Sequence, residues 1–325
     1  MDFSKHYVTE SDLLTLINQQ YAIKGEEIRL YRASQGRVFF IQSPTGRKVF
    51  KLYLPTNTDG AIQTTHIISY LDKCDYPVVK IIPTVSGELY TTVEMSEDIC
   101  VGVLFEYANG ICIEYLHRWS SNKQPLVHPL TKQFSRQVGL MHRLMESYDG
   151  PTLVHRGNKE RIFGDMIWLM RRDNCDETQI RDLEEYGDEL WDILKKCPTG
   201  YFHADMHTSN TKYRGGKFIW MDFDRASISY PIMDIGWLLE TDWICFHEES
   251  LYRSRELFDE IYAGYTMERQ LTDGEIAAVF HSVAMIHYEG VASDAILKNR
   301  KLEKWLMNRE HDWLMRWREA CSKLI

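Results

Sequence analysis

Apolar and polar positions change their period twice along the chain. After Thr9-Glu10-Ser11-Asp12, which can cap a helix, apolar residues recur at Leu13, Leu14, Leu16, Ile17 and Tyr21, the spacing of one helix face. The runs 28–33, 37–42 and 48–54 are then short and rich in β-branched and aromatic residues, and Ser43-Pro44-Thr45-Gly46 reads as a hairpin turn between the last two. Residues 61–73 read as a helix, and 89–95 and 99–107 as two more strands, so the first third predicts a mostly antiparallel sheet with one helix. From about residue 110 the period turns helical. The segment 130–145 carries Phe134, Val138, Met141, Leu144 and Met145 on one face, and 177–196 carries Ile180, Leu183, Tyr186, Leu190, Trp191 and Leu194. A short β interlude over 201–224 turns at Gly215-Gly216, and the remainder reads as helical, with Trp237, Trp243, Trp305, Trp313 and Trp317. The expected fold is α+β and two-lobed: a sheet-rich N-lobe over 1–108 and a larger helical C-lobe over 109–325, divided near the breaker Asn109-Gly110.

Composition narrows the class. The chain has 325 residues, enough for a large core without disulfide or metal staples. Lys and Arg number 38 against 47 Asp and Glu, a net charge of −9, which argues against a nucleic-acid binder whose affinity comes from neutralising phosphates. The seven Cys are scattered and form no C-x-x-C pair, as expected of reduced thiols in the cytoplasm. The first residues lack the basic-then-apolar build of a signal peptide, and no apolar run is long enough to span a membrane. The expectation is a cytoplasmic protein with neither nucleic acid nor membrane as partner.

The chemistry concentrates in two stretches. Tyr201-Phe202-His203-Ala204-Asp205-Met206-His207-Thr208-Ser209-Asn210 contains H-x-D-x-x-x-x-N, and Phe218-Ile219-Trp220-Met221-Asp222-Phe223-Asp224 is an apolar strand delivering Asp-Phe-Asp. Phosphoryl transfer to a hydroxyl needs a carboxylate to orient that hydroxyl and accept its proton, and hard oxygen ligands to hold Mg²⁺ against the phosphates. Asp205 suits the first role; Asn210 and Asp222 suit the second. ATP also needs a cation on its phosphates. Lys51 sits on a predicted strand with Phe50 and Leu52 facing away from it, while Lys48 competes but lies nearer the turn, where more solvent is expected. The Glu106 carbonyl and Ala108 amide, on the extended segment 104–108, suit the adenine.

These motifs resemble the aminoglycoside phosphotransferase / choline kinase superfamily, a branch of the protein-kinase-like fold. The likeness runs from about Tyr31 to Glu240 and is most specific at HADMHTSN, at MDFD, and at Pro231-Ile232-Met233-Asp234-Ile235-Gly236. The resemblance extends to the spore-coat kinase-like, homoserine kinase-like and stress-response kinase-like branches, which share the His207 variant, so His207 does not select among them. The resemblance implies ATP and Mg²⁺ as cofactors, Asp205 as the catalytic residue, Asn210 and Asp222 as metal ligands, Lys51 on the ATP phosphates, and Asp234 as a structural carboxylate bonded back to the catalytic loop. Three departures stand out. Alignment puts Thr64 where the family has a Glu to pair with the lysine, Gly36 is the one glycine available for the nucleotide loop, and Ala204 replaces the usual Gly before the Asp.

Each residue also has a plainer reading. H-x-D-x-x-x-x-N alone is a weak pattern, and Lys51 alone would be a surface strand lysine. His203 reads as an organiser of its loop, His207 equally as a substrate-side contact or a loop brace, and Asp224 as a metal contact or, the favoured reading, a cap on the following turn. The C-lobe tryptophans read as core; Trp237 and Trp243 with Glu240 and Asp242 are the alternative lining of a pocket for a cationic substrate. The expected function is transfer of the γ-phosphate of ATP to a hydroxyl of a small-molecule acceptor, of aminoglycoside, choline, homoserine or sugar type. The alternative is a kinase-like protein acting on protein Ser/Thr, or a non-catalytic nucleotide-binding scaffold, which Thr64 would favour.

Overall fold

The computed structural model describes residues 9–33, 36–95, 98–113, 117–119, 125–240, 250–297 and 301–323. The chain packs into two compact units. The first comprises Met1–Ile111, Tyr148–Val154 and Thr211–Arg225, the second Cys112–Ser147, His155–Asn210 and Ala226–Ile325.

The first unit is built on a five-stranded antiparallel sheet in the order β1-β2-β3-β5-β4, with β1 Glu27–Ala33, β2 Gly36–Ser43, β3 Gly46–Tyr53, β4 Thr91–Met95 and β5 Asp98–Glu106. Ser43 pairs with Gly46, so Pro44 and Thr45 form the predicted tight turn, and Gly46 supplies a φ of +102° that a side chain would resist. Helix α1, Glu10–Gln20, is capped by Thr9, whose hydroxyl accepts the Asp12 amide. Its Leu13 and Ile17, with Tyr21 just beyond, bury against Ile28, Phe39, Ile41, Phe50, Leu52 and Leu104 on one sheet face. Strand side chains alternate, so committing Phe50 and Leu52 to that core puts Lys51 on the opposite face. Helix α2, Thr58–Lys73, buries Ala61, Thr64, Ile67, Ile68 and Leu71. The hairpin of β9, Thr211–Arg214, and β10, Lys217–Trp220, turns at Gly215 and Gly216, both at positive φ. It is tied into this unit by Val79 N donating to Trp220 O (2.7 Å) and Trp220 N donating to Pro77 O (2.9 Å).

The second unit is mainly helical: α3 Thr131–Met145, α4 Asp165–Arg172, α5 Glu177–Leu194, α6 Ile232–Leu239, α7 Ser250–Tyr265, α8 Asp273–Ala278, α9 His281–Leu297 and α10 Lys304–Ser322. A two-stranded pair of β8, Gly200–Phe202, and β11, Ser227–Ser229, accompanies them. Helix α6 is apolar on nearly every side and is buried throughout except at Trp237. Helices α3 and α7 pack backbone to backbone: a Cβ on Gly139 would stand 2.5 Å from the Tyr265 carbonyl oxygen, and one on Gly264 would strike the Lys132 carbonyl. Trp313 and Trp317 are core and stack on each other at 5.0 Å, whereas Trp305 is exposed. Trp243 and Asp242 lie outside the described residues.

The helical reading from residue 110 needs correction. A small hairpin occupies β6, His117–Trp119, and β7, Pro125–Val127, whose three-residue strands are too short for alternation to register. Helix α4 and the wide π turn over Glu160–Gly164 that leads into it were also not anticipated. Among the described residues no helix is long and apolar enough to cross a membrane.

Candidate functional site

Two clusters hold the residues singled out from the sequence, one in each unit. In the first unit, the Lys51 ammonium lies 2.7 Å from Asp222 Oδ1 and 2.5 Å from Asp224 Oδ2, and 5.2 Å from the centre of the Tyr53 ring. Tyr53 Oη donates to Asp224 Oδ1 at 2.9 Å. Tyr53 follows Lys51 by two on β3 and therefore shares its face. The two carboxylates differ in environment: the Asp222 side chain is 41% exposed and that of Asp224 10%. Burial and the neighbouring Asp222 charge push the Asp224 carboxyl up to about 6, against the opposing pull of Lys51 and Tyr53. Burial alone would depress the Lys51 ammonium, but Asp224, Tyr53 and Asp222 outweigh it and hold the group well above its ordinary value. Asp222 adopts φ +61°, a left-handed conformation that turns the chain sharply after β10. Where the sequence suggested a turn cap, Asp224 reaches the lysine. Thr64 is buried on α2, and its hydroxyl donates to the Phe223 carbonyl at 2.9 Å.

Lys48 is more enclosed than expected. Its side chain is 6% exposed and its ammonium bonds both oxygens of Glu106, at 2.9 and 2.7 Å. The reason is register: Lys48 pairs directly with Glu106 on β5, on the face opposite Lys51, where the carboxylate neutralises it. The Glu106 amide donates to Lys80 O, and Ala108 is half-buried just beyond the strand. Gly36 opens β2 with no room for a side chain, because a Cβ there would stand 2.6 Å from the Leu52 carbonyl oxygen. Its neighbours Ser34 and Gln35 lie outside the described residues. Further along the Lys51 face, Tyr31 packs on Phe40 at 4.4 Å, Phe40 meets Tyr107 edge-on at 5.9 Å, and the Arg47 guanidinium covers both Phe40 and Tyr107. A hollow of about 510 Å³ opens beside them, lined by Glu27, Arg29, Tyr31, Phe40, Gln42 and Arg47 among others. Period-2 parity with Lys51 was the signal that could have found this shelf.

In the second unit, Asp205 and Asn210 are locked together. Asn210 Nδ2 donates to both Asp205 O (2.9 Å) and Asp205 Oδ2 (3.0 Å), which directs its amide oxygen away from that carboxylate. His207 Nε2 stands 3.4 Å from Asp205 Oδ1, and its Nδ1 bonds Ser209 Oγ at 2.5 Å. Two backbone bonds, His207 N to Asp205 O and Asn210 N to His207 O, fold this loop.

Beneath it, Asp234 is fully buried at the start of α6. Its carboxylate accepts His203 N at 2.6 Å and Ala204 N at 2.9 Å. His142 of α3 supplies a third contact, Nε2 to Asp234 Oδ2 at 3.0 Å. A carboxylate only accepts, so Nε2 donates to it; Tyr265 Oη bonds Nδ1 at 2.8 Å and accepts from Arg269 at 3.0 Å. A chain of hydrogen bonds thus runs from Arg269 through Tyr265 and His142 to Asp234. Ala204 sits at φ +64°, a left-handed conformation that glycine adopts more readily, and its amide bond to Asp234 helps hold it there. Sequence reasoning missed His142; the available signal was a histidine inside the apolar stripe of a helix, which requires a buried partner.

Among the described residues, no group of three or more His, Cys, Asp or Glu side chains is placed to hold a metal ion. The oxygen donors at hand are the Asp222 carboxylate in one cluster and the Asn210 amide in the other. Each is a hard oxygen donor of the kind a divalent cation takes beside phosphate and water.

Comparison with known proteins agrees with this chemistry. Residues 28–269 match a family described as the phosphotransferase enzyme family. An amicoumacin kinase of Bacillus subtilis (strain 168) is 26% identical over 149 residues, which span 44% of this chain and 43% of that protein, so the match covers less than half of the curated relative. Among solved structures, an amicoumacin kinase in complex with AMP-PNP and Ca²⁺ superposes with a TM-score of 0.73 at 19% identity, covering 97% of this chain and 94% of the other. A microcompartment-associated aminopropanol kinase gives 0.70 at 15% identity, over 96% and 97%. Choline kinase from Cryptosporidium parvum Iowa II gives 0.62 at 14% identity, over 97% of each chain. At these identities the solved structures establish a shared kinase-like fold.

Proposed function

The chain belongs to that phosphotransferase family, and from this premise we propose that it transfers the γ-phosphate of ATP, in the presence of Mg²⁺, to a hydroxyl group of a small molecule. The observation that carries the reading is the contact between Lys51 and Asp222. A lysine from the middle of a sheet and an aspartate at the end of a distant strand, 171 residues apart, hold each other at 2.7 Å. That is the pair phosphoryl transfer needs for the phosphates and for the cation that accompanies them.

Asp205 would accept the hydroxyl proton. Its carboxylate is held in orientation by Asn210, and a single positioned base of this kind contributes about 10²- to 10⁴-fold. Asn210 and Asp222 would hold Mg²⁺, which when bound neutralises charge on the phosphate oxygens. Lys51 would steady the α- and β-phosphates. The aromatic shelf of Tyr31, Phe40 and Tyr107 starts on β2 opposite Val49, two residues along β3 from Lys51, and offers flat faces to a base whose edge meets Glu106 and Ala108. Catalysis would then rest on positioning and charge neutralisation, with no covalent intermediate. His203, through its amide bond to Asp234, braces the loop, and His207 aligns Asp205 from the other side. The amicoumacin, aminopropanol and choline kinases suggest an acceptor carrying both an amine and a hydroxyl; homoserine- and sugar-type acceptors belong in the same screen.

The test is a screen for ADP release over hydroxyl-bearing amines, amino sugars and amino acids, run beside Asp205→Asn. Turnover with at least one acceptor, reduced about 10³-fold or more in the variant, is expected. Equal ADP release by wild type and variant across the panel would overturn the assignment.

A further inference from the structure

A lysine that reads phosphates must be held. Its four-carbon stem is rich in rotamers, so without a fixed anionic partner the ammonium samples positions that do not meet the ligand. The resemblance seen in the sequence implies such a partner on the N-lobe helix, at the position that Thr64 fills here. Its buried hydroxyl is spent on the Phe223 carbonyl, the peptide oxygen between the two aspartates. The helix therefore anchors the backbone of the Asp222-Phe223-Asp224 turn and supplies no charge to the lysine.

The charge comes from the turn itself. Asp224 approaches Lys51 at 2.5 Å with a side chain 10% exposed, and its other oxygen is fixed by the Tyr53 hydroxyl at 2.9 Å. Asp222 makes the longer contact, 2.7 Å, and its side chain is 41% exposed. One carboxylate is thus buried and oriented, the other open to solvent. When Asp222 turns to a cation, the lysine keeps an anionic partner only if Asp224 provides it.

We propose that Asp224 is the positioning residue for Lys51, taking the part of the missing helix glutamate, with Tyr53 orienting Asp224 and Thr64 fixing the turn that carries it. The inference rests on the nucleotide-binding reading above, and it concerns binding of the triphosphate, so it is tested without any acceptor.

Calorimetric titration of wild type, Asp224→Asn, Asp224→Glu and Tyr53→Phe with Mg²⁺·AMP-PNP and, separately, with adenosine separates the outcomes. Asp224→Asn is expected to weaken AMP-PNP binding about tenfold or more while adenosine affinity stays within about twofold, because the lysine meets phosphates and not the nucleoside. Asp224→Glu, which keeps the charge, should lose less than Asp224→Asn. Tyr53→Phe removes one hydroxyl and no charge; it should retain the fold, as checked by its denaturation midpoint, and lose about threefold for AMP-PNP alone. Equal loss for both ligands would show a merely structural role and overturn the proposal, as would unchanged AMP-PNP affinity in Asp224→Asn and Tyr53→Phe. A wild type that binds AMP-PNP with the expected variant pattern but transfers phosphate to no acceptor would sink the proposed function and leave this assignment standing.

Discussion

The cluster around Lys51 and the cluster around Asp234 each centre on carboxylates, yet they are held by opposite means. Asp234 is completely enclosed and bonded to two main-chain amides and a histidine, which is itself backed by a tyrosine and an arginine. Every donor there has a defined direction, so the arrangement has one geometry. Lys51 instead has two acidic partners for one charge, and the Asp222 side chain is well exposed. That arrangement can lose a contact and survive. On the proposed function the difference separates two tasks: a loop that would carry the base must stay put, whereas groups that would greet a charged ligand must exchange partners as it arrives.

The largest effect that would sharpen the contrast is functional. Asp222→Asn should cut kcat by about 10³-fold, equivalent to about 4 kcal/mol of barrier, while shifting the urea midpoint by an amount worth less than about 1 kcal/mol, as suits an exposed ion pair. A large loss of stability in that variant would break the comparison. Asp234→Ala should do the reverse, destabilising the fold by about 3 kcal/mol because it strands two buried amides and an imidazole N–H; equilibrium unfolding in urea reads this directly. A smaller gain follows from Ala204, whose left-handed backbone carries a strain that glycine relieves: Ala204→Gly should stabilise by about 1 kcal/mol on the same measurement.

The smallest effect is a pH slope in the second unit. Burial alone would depress the His287 imidazole, but it lies between Glu240 (3.8 Å) and Glu310 (3.1 Å) and stacks on Trp313, and the two acids raise it above its ordinary value. Because the folded value lies above the unfolded one, this stabilisation is complete below the unfolded value of about 6.5 and fades as pH rises through the folded one. His287→Gln should therefore flatten the decline in denaturation midpoint that sets in as pH rises above the unfolded value of about 6.5. An unchanged slope would show that the imidazole contributes no such linkage.

Local patterns were readable and distant partners were not. H-x-D-x-x-x-x-N was visible because Asp205 and Asn210 lie within one loop, and the face of Lys51 followed from its apolar neighbours Phe50 and Leu52. Asp224 was placed on its strand end, but its partners Lys51 and Tyr53 come from the far end of the sequence, and no period connects them. Thr64 was visible as a departure, while its bond to Phe223 O required the structure. His142 escaped because its partners Asp234 and Tyr265 lie far along the chain, and Lys48 was misjudged because only the register with β5 reveals Glu106 beside it. The β6–β7 hairpin was hidden by its brevity.

The close approach of α3 and α7 at Gly139 and Gly264 reaches further than packing. His142 lies three residues, about one turn, after Gly139, and its imidazole bridges Tyr265 on the facing helix and Asp234. Interhelical spacing therefore sets the reach of that ring. Even one methyl group at position 139 would act as a wedge, drawing the imidazole off one neighbour or the other, so a residue that touches no ligand helps keep the loop that carries Asp205 in tune.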